Sequence, residues 1–423
     1  MAGNAVTPTL AVFLGAVACA GTLLATVRVR RPAELTFVYM MTSWLVGELA
    51  MFHLVLQALA VALFVRAGVL HHGIGIAGVT LFGLSIVGLA AVQQRAGTAA
   101  ASFERALAPL LAAKSDEALR VRDASAATPR WQAWMPFWFR RRGVEVIPNL
   151  MYGEHRTRNR LDVYRPAGTE AGAALPVIIY LHGGAWVIGD KEQQGKPMLL
   201  HLARSGYIGV TINYRLAPRN RWPAQIVDVK RAVVWVREHI AEYGGDPSFV
   251  AVSGSSAGGH LAALAALTPG DPLFQPGFEQ ADTSVDACVA IYAPFDLTDR
   301  AGMRPHRAAM RRFLEPLVMS TTLQADDAGW KAASPLWRVG PQAPPMFVIQ
   351  GRLDTLVWRE EARDFVDALA ACTTAPLAYV EVPGAQHAFE VFNSVRCREA
   401  VEAIRRFLDA VRPAVSAGTE PHR

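Results

Sequence analysis

One serine stands where its hydroxyl could act as a nucleophile. Ser256 is the centre of Gly254-Ser255-Ser256-Ala257-Gly258, behind the apolar run Phe249 to Val252 and ahead of the Ala/Leu-rich segment Leu261 to Leu267. Strand, sharp turn and helix form the context in which a G-x-S-x-G pattern lifts a serine Oγ clear of the backbone. It also leaves the Ala257 N–H beside that oxygen. A hydroxyl alone is a poor nucleophile, so the rest of the chain must supply a base, a group that orients the base and donors for an oxyanion. Of eleven histidines, His387 is the best-placed base, in Pro383-Gly384-Ala385-Gln386-His387 between the last strand pattern and the last helix pattern. His260 lies one helical turn past Ser256 and is expected to pack there. His182 precedes a glycine pair and is expected to brace that loop. Asp354, just after an apolar strand in Gly351-Arg352-Leu353-Asp354, is the expected orienting acid. Asp296 is the second candidate and reads better as a turn or cap residue.

These residues need a frame, and from Gly143 onward strand patterns alternate with helix patterns. That implies an α/β domain with a mostly parallel sheet covered on both faces. Strands are expected at 144–151, 160–164, 177–181, 208–213, 249–252, 285–292, 346–350 and 377–382. Helices are expected at 226–241 and 394–411. Every candidate site residue falls in residues 143–423, so that part alone is expected to hold the site together.

The first 97 residues read differently. Pro8 to Val27 contains no charge and is long enough to span a bilayer, with Arg28, Arg30 and Arg31 directly after it. No basic residue precedes it, so it reads as a span and not as a cleaved signal. A second apolar run covers Leu35 to Val65, interrupted by Glu48 and His53, which are expected to pair with each other or with a neighbouring helix. A third covers Val69 to Val92, where glycines 75, 78, 83 and 88 would allow close helix approach. About three spans over residues 1–97 would put the first loop and the later domain in the cytoplasm by the positive-inside rule, with Arg66 on the far side.

Residues 98–142 form a connector and possible cap. Ser102 to Arg122 is amphipathic, with Phe103, Leu107, Leu110, Leu111 and Leu119 set against Arg105, Lys114 and Arg120. The segment Trp131 to Arg142 sets aromatics beside arginines. It fits a membrane-interface belt or an aromatic patch packed on the domain, and either could wall an acyl pocket.

Composition agrees. The chain has 423 residues, 52% of them hydrophobic, and only five of its 42 basic residues are lysine. The net charge of +6 carries no nucleic-acid motif and fits membrane-flanking arginines, so the partners expected are a bilayer and an ester substrate and not a nucleic acid. Cys19, Cys288, Cys372 and Cys397 have no paired spacing, which argues against a disulfide framework or a metal site and favours a reducing compartment.

Residues 144–411 resemble the α/β-hydrolase superfamily, and within it the hormone-sensitive-lipase-like carboxylesterases of membrane-anchored bacterial type. The resemblance rests on His182-Gly183-Gly184, Tyr214-Arg215-Leu216-Ala217-Pro218, Gly244-Gly245-Asp246-Pro247 and Gly254-Ser255-Ser256-Ala257-Gly258-Gly259, with Ser256, Asp354 and His387 in the superfamily's order. It implies an oxyanion hole from the N–H groups of Gly184, Ala185 and Ala257, with Gly183 allowing the turn, and no cofactor or metal. Ala185-Trp186 stands where the family commonly has a third glycine, and Ser255 stands where it commonly has an acid. The His-Gly-Gly-Ala-Trp form is similar to that of prenylcysteine methylesterases and kynurenine formamidases. An ester substrate is therefore the first expectation, an amide the alternative. A non-catalytic binding protein on the same fold is a third reading, disfavoured because no triad member is missing.

Overall fold

The structure is a computed structural model, and it describes residues 6–29, 35–112, 135–304 and 307–413. The N-terminal part contains α1 (Val6–Leu24), α2 (Thr36–Glu48), α3 (Ala50–Arg66), α4 (Gly73–Gly97) and α5 (Ala99–Ala112). The remainder alternates: β1 (Val144–Met151), β2 (Arg160–Pro166), β3 (Leu175–Leu181), α6 (Lys196–Arg204), β4 (Ile208–Ile212), α7 (Ala224–His239), β5 (Gly245–Ser255), α8 (Ala257–Leu267), β6 (Ala287–Ile291), α9 (Arg307–Leu317), α10 (Asp327–Ala332), β7 (Met346–Gly351), α11 (Arg359–Ala370), β8 (Leu377–Val382) and α12 (Val395–Val411).

The strands form one eight-stranded sheet in the order β1-β2-β4-β3-β5-β6-β7-β8. The strands from β4 to β8 in that order pair in parallel, while β2 is antiparallel to both β1 and β4. The central strands are short, β-branched and buried throughout, the signature of strands covered on two faces. On one face lie α7, α8 and α11, packed around Val229, Val233, Leu261 and Phe365. On the other lie α6, α12 and α5. Helix α5 belongs to this layer: Phe103 and Leu107 are buried, and Phe103 meets Phe347 of β7 edge-to-face at 6.4 Å. Each such side chain contributes about 2 kcal/mol by burial. The expected extension of this helix to Leu119, Arg120 and Arg122, with Lys114, lies outside the described residues.

Helices α1 and α4 run side by side and parallel. A Cβ on Gly15 would sit 2.7 Å from the Gly78 carbonyl, and one on Gly78 would sit 2.6 Å from the backbone of Ala11. Further along, Thr22 and Ser85 share a hydrogen bond of 2.8 Å, and Gly88 leaves room for the Thr22 methyl. Gly83 faces open space, and Gly75 faces Val69 in the turn before α4, so only part of the glycine pattern serves helix contact. Thr7–Leu24 and the helix beginning at Gly73 are long and apolar enough to cross a membrane.

The second apolar run is not one helix. It breaks at Leu49, and α2 and α3 meet at 82°. Glu48, the last residue of α2, has a partner in the sheet domain: the Arg396 guanidinium of α12 donates to its carboxylate at 2.9 Å, and both side chains are about 1% exposed. Of the two expected pairings, Glu48 takes the one with another helix, α12, and not the one with His53. Glu48 pairs with the last helix of the sheet domain, because a buried carboxylate needs a charged donor and Arg396 points at it.

Candidate active site

At the end of β5 the chain turns sharply into α8. Ser256 takes φ 55° and ψ −122°, a conformation that costs an L-residue energy and is tolerated where the surroundings force it. The flanking glycines explain how. A Cβ on Gly258 would lie 2.1 Å from the Leu181 carbonyl, and one on Gly254 would lie 2.4 Å from the backbone of Gly258. Strand and helix cross too closely there for any side chain. The Ser256 N–H donates to Ile291 O at 2.9 Å and pins the elbow to β6.

The three residues singled out for chemistry come together. Ser256 Oγ lies 3.0 Å from His387 Nε2, and His387 Nδ1 lies 2.8 Å from Asp354 Oδ2. Asp354 is wholly buried. Its Oδ1 accepts the N–H groups of Leu356 and Val357, each at 2.9 Å, and its Oδ2 also accepts from Gln350 Nε2 at 3.1 Å. Those donors leave each carboxylate oxygen hydrogen-bonded and hold the group in place. That carboxylate selects the tautomer with hydrogen on Nδ1, leaving Nε2 free to accept the serine proton. The Tyr292 ring packs against the imidazole at 4.5 Å. Gln386 ties the two loops together, its Oε1 accepting from Thr355 N at 2.9 Å and His387 N at 3.0 Å.

The loop after β3 faces the elbow. A Cβ on Gly183 would be 3.2 Å from that of Ser256. Its N–H is occupied by Gln194 Oε1 at 2.7 Å, so Gly183 serves approach and turning, and it is not a free donor. Gly184, Ala185 and Trp186 all have positive φ. Among the described residues the N–H groups of Gly184, Ala185 and Ala257 have no acceptor. Ala257 opens α8, so its amide is one of the unpaired donors at a helix N-terminus.

The other histidines and the second acid do other things. His182 Nδ1 lies 2.8 Å from Gly183 O, and its ring stacks on Tyr214 at 4.3 Å. His260 accepts from Trp186 Nε1 at 3.3 Å, and its Nε2 reaches Ala333 O at 2.7 Å. Burial pushes both rings down to about 4, so both are neutral braces at pH 7. Asp296 accepts from Thr298 N at 2.9 Å and Arg300 N at 2.8 Å, as a turn residue does. It makes no bond to His387.

Sequence reading missed Gln194, Gln350, Gln386 and Glu390, since glutamine and glutamate have no motif here. Glu390, three residues after His387, is buried without an ion-pair partner among the described residues, and burial pushes its carboxyl up. It lies close to Ser255, Tyr180 and Tyr292, so an acid does stand behind the nucleophile, supplied from another loop. The described part of the aromatic segment, from Met135, packs on the domain, one of the two expected placements. Trp131 and Trp134 lie outside the described residues. Met135 to Phe139 line a groove of about 600 Å³ with Phe52, Arg141 and Lys196, and none of Ser256, Asp354 or His387 lines it. As an acyl-pocket wall this segment is displaced from the chemistry, because Phe137 packs on Phe392 beyond the His387 loop.

A solved structure described as a truncated form of a carbohydrate esterase from gut microbiota superposes with a TM-score of 0.54 at 24% identity, covering 63% of this chain and 97% of that one. The fold is that of an α/β hydrolase. The family model BD-FAE matches residues 161–369, which include Ser256 and Asp354 and end before His387. From Mycobacterium tuberculosis, strain H37Rv, the "Probable carboxylic ester hydrolase LipM" is 45% identical over 64% of this chain and 63% of its own length. Esterase LipQ of the same strain is 44% identical over 64% of each chain. The chain thus spans just under two thirds of the relatives it matches. On this hydrolase fold the serine sits at the carboxyl ends of the parallel strands, where such sheets bind ligands.

Proposed function

We propose that the chain is a serine carboxylesterase. The observation that carries this is the hydrogen-bonded line Ser256 Oγ, His387 Nε2, His387 Nδ1, Asp354 Oδ2 at 3.0 and 2.8 Å. Beside it lie amides with no other acceptor. His387 takes the serine proton as Oγ attacks an ester carbonyl. Asp354 holds the tautomer and stabilises the imidazolium. The amides of Gly184, Ala185 and Ala257 receive the tetrahedral oxyanion. The imidazolium then protonates the departing alcohol, and water, deprotonated by His387, releases the acid from the acyl-enzyme. The names of LipM and LipQ support an ester over an amide. A fluorophosphonate probe should label Ser256 in the wild type and not in Ser256→Ala, and the wild type should turn over p-nitrophenyl esters faster than a formamide or a prenylcysteine methyl ester. Labelling that survives in Ser256→Ala would move the nucleophile elsewhere.

We further propose that the N-terminal helices anchor the hydrolase domain, residues 143–423 with α5, in a membrane. Three spans are supported by the parallel course of α1 and α4, which brings Arg28 and Arg95 to the side of the hydrolase domain and leaves α3 to cross between them. The arginines on that side support a cytoplasmic domain. A carboxyl-terminal reporter active only in the cytoplasm should give signal; silence would refute this orientation.

A further inference from the structure

Strand β8 is an edge of the sheet, so the loop after it, which carries His387, has no ninth strand beside it. The N-terminal helices fill that side. Trp44 of α2 donates its indole N–H to the carbonyl of Ala388 at 2.8 Å while its ring stacks on Phe392 at 4.7 Å. Ala388 directly follows His387 and has φ 65°, a left-handed conformation that a non-glycine residue holds only when its surroundings impose it. Arg28, in the corner after α1, donates Nε–H to the carbonyl of Asp354 itself at 3.1 Å. The remaining guanidinium nitrogens fork onto Glu360 at 2.9 and 3.0 Å, and the group lies 4.1 Å over the Trp358 ring. Its side chain is 8% exposed. Tyr39 of α2 reaches back to the carbonyls of Leu24 and Val27 and closes the corner that presents Arg28. Arg396, held by Glu48, donates to Pro383 O at 2.9 Å, where the His387 loop begins.

We infer that Arg28 and Trp44 are positioning residues for the acid and the base, so that the N-terminal helices complete the active site as well as anchoring it. Two different elements reach one backbone carbonyl each, and those carbonyls belong to the acid and to the residue after the base. Packing alone would not select them. A contrast is Glu104 of α5, which pairs with Arg406 of α12 at the surface. The inference rests on the esterase reading and extends it. It runs against the expectation that residues 143–423 alone hold the site together, because both donors lie outside them.

The test uses the full-length protein in lipid or detergent. Trp44→Phe keeps the ring stack and removes only the indole N–H; Arg28→Lys keeps a cation beside Glu360 and removes the Nε–H. Both should lower kcat on a short p-nitrophenyl ester by roughly tenfold or more, the scale expected when catalytic groups are slightly misplaced. KM should stay within about twofold. The acid limb of the kcat/KM profile should move to lower pH, because a loosened Asp354 stabilises the imidazolium less. Fluorophosphonate labelling of Ser256 should slow in proportion. Glu104→Gln should change none of these. Wild-type kcat and an unchanged pH midpoint in folded Trp44→Phe would overturn the inference, and so would an equal loss in Glu104→Gln. If Arg28→Lys does not fold, Trp44→Phe decides alone. A wild type that does not label at all would refute the esterase reading itself, and this inference with it.

Discussion

The two halves of the candidate site are built in different ways. The nucleophile half, Ser256 with the loop 182–186, is held by the interior of the parallel sheet. Gly254 and Gly258 let β5, α8 and the end of β3 touch backbone to backbone, and Ser256 N is tied to β6. In the acid–base half, Asp354 follows β7, His387 follows the edge strand β8, and the two loops take hydrogen bonds from Arg28 and Trp44. A central strand can fix its own turn because it has a neighbour on each side. An edge loop has one side open, and here a second region closes it.

That contrast can be broken in several places. The largest effect should come from the acid. Asp354→Asn should lower kcat by about 10⁴, since an amide there favours the wrong imidazole tautomer. Asp296→Asn should cost less than about tenfold. Comparable losses in steady-state assays would mean that the acid is misassigned.

Next, Gly258→Ala should destabilise the fold by about 3 kcal/mol through overpacking against Leu181. It should also slow labelling of Ser256, with no help from any change in the N-terminal helices. A normal melting temperature would show that the elbow is looser than its contacts indicate.

Glu48→Gln should also cost about 3 kcal/mol, because Arg396 would be left buried and unpaired. Glu104→Gln, at a pair whose glutamate is 58% exposed, should change stability by less than about 0.5 kcal/mol. Thermal melts that rank the two equally would deny the edge its buried tether.

The smallest effect concerns Glu390. Its folded pKa is raised above the ordinary 4.5 by burial. The folded state therefore holds the proton longer than the unfolded state, and stability falls as pH rises through the window above about 4.5. Glu390→Gln removes that titration. The variant should melt close to wild type at pH 4 and progressively above it as pH rises. A difference that did not grow with pH would mean that the carboxyl is ionised in the folded protein.

Much of the site was legible before the structure. The G-x-S-x-G turn, the glycine pair after His182 and the loops of Asp354 and His387 are local patterns, and local patterns need only neighbouring residues to be read. The positions of the strands followed for the same reason, since runs such as Val177 to Leu181 and Leu377 to Val382 differ from their flanks in composition, while β5 extends to Gly245–Ser255 beyond the expected 249–252. The glutamines that tie the site were illegible. Nothing in the residues around Gln386 or Gln194 shows which amide each will meet, since those partners lie 31 and 11 positions away.

What residue type and spacing determined was the chemistry available: a serine lifted from a turn, a histidine and an aspartate after successive strands, and apolar runs long enough for a membrane. Tertiary structure alone decided what stands behind that chemistry. Glu48 and Arg396 are 348 positions apart, Arg28 and Asp354 are 326 apart, and Trp44 and Ala388 are 344 apart. A hydrogen bond between such residues has no period and no motif, because its geometry exists only after the helices have docked on the sheet. For the same reason Glu48, read alone as a charge inside an apolar run, gave no sign that its partner would be Arg396.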